Sequence, residues 1–124
     1  MKDTLNSRVK FRESFRPFTP SVLAERSSDF FELDIESPFM LLAPYVKPGM
    51  GDIVPAITHA DGTSRVQTVT VEQHPELYKL LRHWYERTGC PLLLNTSLNI
   101  KGKPMVNTWQ DALEFEKKYQ VKVF

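Results

Sequence analysis

Short apolar runs alternate with polar turns along the chain, and one run carries the period of a helix. In "HPELYKLLRHWYERTGCP", Leu77, Leu80, Leu81 and Trp84 fall at i, i+3, i+4 and i+7, which lines one side of a helix with apolar groups. Pro75 stands where a first helical residue belongs, and Gly89 where the chain must turn out. A second helix is predicted over "TWQDALEFEKKY", where Thr108 opens the run and Asp111 follows at the spacing of a capping box. The pattern of "SVLAERSSDFFEL" is less regular; it reads as a short helix started by Pro20, with Val22, Leu23, Phe30 and Phe31 as its apolar contacts.

The remaining apolar runs are short enough to be strands. "PFMLLAPYV" (38–46) predicts a buried strand, followed by a loop at "KPGMGD". "DIVPAITHADGTSRVQTVTVE" predicts a strand ending near His59, an Asp61-Gly62 turn, and a second strand through Val66, Thr68 and Thr70. "PLLLN" reads as a central strand and "QVKVF" as an alternating last one. Roughly five strands interleaved with about three helices predict a mixed α+β layer structure, an α/β fold in the broad sense.

At 124 residues, 41% of them hydrophobic and 25% charged, the chain has the size and composition of one globular domain, residues 1–124. Such a chain buries roughly two-thirds of its unfolded surface, so a core needs no staples. A net charge of +1 predicts neither a nucleic-acid partner nor a membrane-surface role. Cys90 is the single cysteine, which excludes an internal disulfide and fits a reducing compartment; it reads as a small buried residue. No apolar run is long enough to span a membrane, and "MKDTLNSRVKFRESF" lacks the apolar centre of a secretory signal. A cytoplasmic protein is the expectation. The polar, basic start reads either as the beginning of a short subunit or as the interior of a larger protein.

Three polar clusters hold the candidate chemistry. In "RVKFRESFRPF", Arg8, Lys10, Arg12 and Arg16 are opposed only by Glu13. An extended segment would put Lys10, Arg12 and Arg16 on one face and Val9, Phe11 and Phe15 on the other. Guanidinium groups suit phosphate oxygens, although a basic edge strand protected from aggregation has the same pattern. In "THADGTSRVQT", His59 and Arg65 flank the Asp-Gly turn. In "PLLLNTSLNIKGKPM", a strand ending at Asn95 delivers Thr96, Ser97 and Asn99 to the edge where α/β sheets bind ligands. Their hydroxyl and amide groups can hold phosphate, ribose or carboxamide without adding charge, and Lys101 and Lys103 add it. An Asn/Ser turn followed by a Gly turn would need no ligand. His59, His74 and His83 are scattered, so no metal site is predicted, and a P-loop is absent.

"KFRESFRPFTPSVLAE", "SPFMLLAPYV", "HADGTSRVQTV" and "PLLLNTSLNIKGKPMVNTWQDAL" occur in an order that resembles the C-terminal domain of the NodU/CmcH carbamoyltransferase family, over almost the whole chain. The last segment looks like that family's Asn-Thr-Ser-Phe-Asn-x-(Arg/Lys)-Gly-Glu-Pro-(Ile/Val) signature. The resemblance implies a YrdC-like twisted mixed sheet with flanking helices, here in partial form. It implies binding of ATP and carbamoyl phosphate, formation of carbamoyl-adenylate and release of pyrophosphate. An N-terminal actin/hexokinase-like domain, in the same chain or another, would then pass the carbamoyl group to a small-molecule hydroxyl acceptor.

Residue by residue, Lys10 and Arg12 match the Lys-x-Arg strand of such folds, and Thr96, Ser97 and Asn99 match their Ser/Thr-Ser-x-Asn strand end. The residue pattern and the resemblance together give expected catalytic roles to Lys10, Arg12, Arg65 and Ser97: the cations, with Arg16, would stabilise charge on the displaced phosphates, and Ser97 would orient the carbamoyl end and the nucleotide. Arg16, His59, Asn95, Thr96, Asn99 and Lys101 would hold the nucleotide and the carbamoyl end. Mg²⁺ is expected on the ATP phosphates, and iron only in the partner domain. Positioning and electrostatics suffice for such chemistry, so no general base is required.

Leu98 stands where the family usually has Phe, Lys103 where it has Glu, and Asn107 and Trp109 where Cys and Pro are common. The family's Gly-Pro-Arg-Ala-Leu-Gly and Asp-Pro-Arg stretches are not in this sequence, so complete carbamoyl transfer by these residues alone is not expected. A non-catalytic nucleotide- or phosphate-binding module, or one that docks a partner, is the alternative. An RNA-binding relative is disfavoured by the near-neutral charge.

Overall fold

In a computed structural model, residues 2–123 are described, and the chain divides into two compact units. One comprises the chain up to Arg16 and again from Thr96 onward; the other is Pro17–Asn95. The elements are α1 (Lys2–Leu5), β1 (Thr19–Leu23), α2 (Ser27–Phe30), β2 (Gln67–Val69), α3 (Pro75–Thr88), β3 (Leu92–Asn95) and α4 (Trp109–Tyr119). This is a mixed α+β fold with one three-stranded mixed sheet.

Within Pro17–Asn95 the central strand is β1, in the order β2-β1-β3. It runs parallel to β2, with Val22 opposite Thr68, and antiparallel to β3, with Ser21 opposite Leu93. This overturns the helix expected from Ser21 on. Proline is normally excluded from central strands, which is why Pro20 reads as a helix start. Here all of β1 is buried, and helical turns begin only at Ala24. β3 is correspondingly an edge of this sheet rather than its centre.

α3 confirms the clearest pattern in the sequence. Pro75 opens it, and Gly89 closes it at φ 71° by donating its N–H to the Tyr85 carbonyl at 2.8 Å. Leu81 is fully buried against Leu23 of β1 and Val69 of β2, with Leu77, Tyr78, Tyr85 and Leu93 packed around them. The buried stripe is nevertheless rotated from the expected one, leaving Leu80 and Trp84 exposed. Tyrosines can bury a ring and keep the hydroxyl wet. Tyr78 donates to Glu25 at 2.8 Å, and the Arg26 guanidinium lies 5.3 Å from the centre of the Tyr85 ring.

Residues 38–46 do not form the buried strand expected. Met40 takes a left-handed conformation (φ 58°), and the following residues run extended beside 62–66. Val66 N–H donates to Leu42 O at 3.3 Å, Ser64 N–H to Pro44 O at 2.9 Å, and Val46 N–H to Gly62 O at 2.9 Å. Phe39 and Leu41 point outward, 77% and 82% exposed. The strand expected before His59 is replaced by turns, whereas the Asp61-Gly62 turn forms, with Gly62 at φ 81°. The second strand is present as β2, shorter than its apolar pattern.

In the other unit, the basic segment is not extended either. Asn6–Lys10 forms a π-helical turn, ended by Phe11 in the left-handed region (φ 50°), so alternation no longer sorts its side chains. α4 begins with the expected capping box: Thr108 Oγ1 accepts the Asp111 N–H at 3.1 Å, and Asp111 Oδ2 accepts the Thr108 N–H at 2.9 Å. Ala112 and Phe115 are buried, and the Tyr119 ring lies 4.8 Å from that of Phe115 and 6.0 Å from that of Phe11. Gln120, left-handed at φ 55°, ends the helix, and residues 120–123 are not a strand. Met1 and Phe124, on which the reading of the chain start and the end of that strand fall, lie outside the described residues. Among those described, no helix is long and apolar enough to cross a membrane.

Candidate cation-rich site

The turn at Asn6–Lys10 carries Lys10 inward, where it is only 4% exposed. Its Nζ donates to Ser97 O at 2.6 Å, Asn99 O at 2.7 Å and Asn99 Oδ1 at 2.8 Å, with Ser97 Oγ at 3.3 Å. An ammonium has only three N–H bonds to give, so the long contact is the weakest. The Ser97 hydroxyl itself donates to Asn99 Oδ1 at 2.6 Å. All these acceptors are neutral; they solvate the charge without cancelling it. Burial first, then the neighbouring Arg12 and Arg16, pulls the Lys10 pKa below the ordinary lysine value.

The segment after Ser97 closes around this ammonium. Lys101 N–H donates to Lys10 O at 3.0 Å, and Asn99 Nδ2 donates to Lys103 O at 3.1 Å. Lys101 Nζ is hydrogen-bonded to Glu13, whose other oxygen lies 3.8 Å from Arg16 Nη1. The Lys101 contact chiefly holds the Glu13 carboxyl below its ordinary value. Glu13 thus contacts Lys101 and Arg16 and acts on Arg12, in a group of cations that also includes Lys10.

Arg12 is held by a residue the sequence reading passed over. Asn6 is 1% exposed, and its Oδ1 accepts the Arg12 Nε–H at 2.7 Å. Asn6 Nδ2 donates to Arg16 O at 2.9 Å and to Ser14 O at 3.3 Å, while Asn6 O accepts the Arg12 backbone N–H at 3.0 Å. Nothing in the spacing marks Asn6, because its role exists only once the π-helical turn returns residues 12–16 to it. Burial and Arg16 lower the Arg12 pKa, and Glu13 opposes them.

Of the remaining expected site residues, Asn95, Arg65 and His59 belong to Pro17–Asn95 and Thr96 to the other unit. Asn95 faces the sheet: its Nδ2 donates to Gln67 Oε1 at 2.8 Å and Ser21 Oγ at 3.1 Å, and Ser21 donates to Gln67 at 2.6 Å. That network ties all three strands together. Arg65 makes long contacts to Thr19 Oγ1, at 3.3 and 3.4 Å. His59 Nδ1 lies 3.0 Å from Thr63 Oγ1, inside the turn. Thr96 is exposed and Cys90 only half-buried.

A cleft of about 590 Å³ in Pro17–Asn95 is lined by residues that include Glu25, Asp34, Glu36, Glu72 and Tyr78. It contains none of the expected site residues, and its carboxylates would repel a phosphate. The cation cluster is therefore the better candidate for an anionic ligand. Among the described residues, no three His, Cys, Asp or Glu side chains come together as a metal site.

The family model described as carbamoyltransferase C-terminus matches residues 1–124. The chain is 44% identical to nodulation protein NolO of Bradyrhizobium diazoefficiens, over 90% of the chain and 21% of that protein. It is 41% identical to nodulation protein U of Rhizobium tropici, over 83% of the chain and 18% of that protein. It is 40% identical to the 3'-hydroxymethylcephem-O-carbamoyltransferase of Streptomyces clavuligerus, over 92% of the chain and 21% of that protein. The chain therefore spans about a fifth of the length of these curated relatives.

Proposed function

Because the chain belongs to the carbamoyltransferase C-terminus family, we propose that it binds ATP and carbamoyl phosphate and prepares a carbamoyl-adenylate for a partner domain. The observation that carries this reading is the gathering of Lys10, Arg12, Arg16 and Lys101, with Lys10 bonded to Ser97 and Asn99 and Glu13 paired with Lys101 and Arg16. Two polyanions must meet for this reaction, and clustered cations lower the cost of bringing them together. In the overall step, one water is taken up. Pyrophosphate leaves the nucleotide, and phosphate leaves the carbamoyl donor. Transfer to a hydroxyl on a small-molecule acceptor is assigned to an actin/hexokinase-like domain, and a cytoplasmic setting is part of the same proposal.

The geometry changes the roles first given to these residues. Lys10 is committed to Ser97 and Asn99, so it shapes the loop and adds field, while Arg12, Arg16 and Lys101 are the groups proposed to meet phosphate oxygens. Asn95, His59 and Arg65 are bonded within the sheet and turn, and Thr96 keeps a proposed nucleotide contact. Mg²⁺ would arrive on the ATP phosphates; no step here relies on protein ligands for it.

Calorimetric titration with ATP-Mg²⁺ and carbamoyl phosphate, followed by a pyrophosphate assay, tests the proposal. Binding is expected, and Arg12→Ala should weaken it about tenfold or more, the usual effect of losing a charged hydrogen bond. Equal affinity in wild type and Arg12→Ala would remove the site assignment. Binding without pyrophosphate release would instead mark a non-catalytic binding module.

A further inference from the structure

We infer that Asn6 is the positioning residue for Arg12: its buried side-chain amide sets the rotation of that guanidinium and does so without neutralising it. The inference rests on the anion-binding reading above and adds a residue to it. The Asn6 side chain is fully committed in opposite senses. Its oxygen takes the Arg12 Nε–H at 2.7 Å, while its nitrogen gives to Arg16 O at 2.9 Å and Ser14 O at 3.3 Å. The backbone of Asn6 receives the Arg12 N–H at 3.0 Å. The same residue thus fixes Arg12 at its main chain and at the root of its guanidinium.

Chemistry explains why an amide stands here. With Nε anchored, the plane of the guanidinium is set, because the group is rigid and flat. A carboxylate at this position would also accept from Nε, but it would pair with the positive charge and weaken its pull on a phosphate. It would also set its oxygens against the Ser14 and Arg16 carbonyls, which need a donor. An aliphatic residue would remove the donor those carbonyls use and the acceptor at Arg12 Nε. Asparagine accepts at one atom and gives two N–H bonds from another while staying neutral, whereas a serine or threonine hydroxyl has a single O–H to give.

The test is a double-mutant cycle on the full chain, reading affinity for ATP and for inorganic pyrophosphate by calorimetry. Asn6→Ala and Arg12→Ala are each expected to weaken binding roughly tenfold. In the Arg12→Ala background, Asn6→Ala should then cost little more, because its effect passes through Arg12. An Asn6→Ala effect that persists undiminished without Arg12, or no effect at all, overturns the inference. A second readout needs no ligand. The Arg12 Nε–H resonance, slow to exchange in the wild type, should be lost in Asn6→Ala while the amide signals of β1 and α3 stay in place; an unchanged resonance overturns the inference. Should wild type bind neither probe, the anion-binding reading fails, and this resonance decides the orientation of Arg12 separately. Asn6→Asp separates acceptance from neutrality, read only where the β1 and α3 amide signals stay in place. It should keep the Nε–H signal yet weaken pyrophosphate binding; retained affinity contradicts the need for a neutral partner.

Discussion

Lys10 shows what a single side chain's position does to its energetics. Removing the Lys10 ammonium takes a charged donor from the Ser97 and Asn99 carbonyls, and a hydrogen bond to a charged group contributes about 1.5–3 kcal/mol. Lys10→Met is therefore expected to lower unfolding stability by at least that amount, measured by urea denaturation. The pH dependence has a definite sign. The folded pKa of Lys10 lies below its unfolded value, so the unfolded chain binds more protons between the two. This group's contribution to stability should rise as pH increases from its lowered value towards the ordinary lysine value. The wild type minus Lys10→Met difference across that alkaline range measures it, and a falling difference would contradict the assignment. The sequence told that Lys10, Ser97 and Asn99 belong together. It hid that they bond to one another, because that depends on a helical turn where alternation suggested a strand. Asn6 was invisible for the same reason.

At the scale of elements, local signals were legible and pairings were not. The capping box of α4 and the Pro75 and Gly89 boundaries of α3 are written in residues within a turn of one another. The rotation of α3 is decided instead by the sheet it meets. Leu81→Ala should cost about 2–5 kcal/mol, as for other buried leucines, whereas Leu80→Ala should stay within about 0.5 kcal/mol. Thermal unfolding of the two variants checks this, and equal losses would restore the stripe expected from the sequence. β1 was missed because Pro20 argues against a central strand, and its neighbours come from far away. Ser21 meets Gln67 across 46 residues. No window along the chain contains both.

For the whole molecule, the interleaved strand and helix patterns predicted a mixed fold and the length and composition a core, and that core is present in Phe18, Val22, Leu23, Phe31, Ile57, Val66, Val69 and Leu81. Apolar runs were a poorer guide to burial, since residues 38–46 turn Phe39 and Leu41 to solvent. A run of hydrophobic letters cannot say which of its members face inward. Replacing both Phe39 and Leu41 with Ser should change unfolding stability by less than about 1 kcal/mol, against several for two buried side chains. A denaturant titration distinguishes the cases, and a large loss would mean these side chains are packed.

The tie between Lys10 and Ser97 spans 87 residues, and the sheet of β1, β2 and β3 is complete by Asn95, before that tie can form. During synthesis the order is thus imposed by the ribosome. All strand partners of β1 are made before Ser97 and Asn99, the residues that receive the Lys10 ammonium. The ammonium surrenders its hydration only after Asn99 clears the exit tunnel, and the closure of so long a loop costs only slightly more than that of a shorter one. The Lys10 contacts consequently follow the last strand of the sheet in the order of synthesis, whereas Asn6, Arg12 and Arg16 can meet as soon as residue 16 is made.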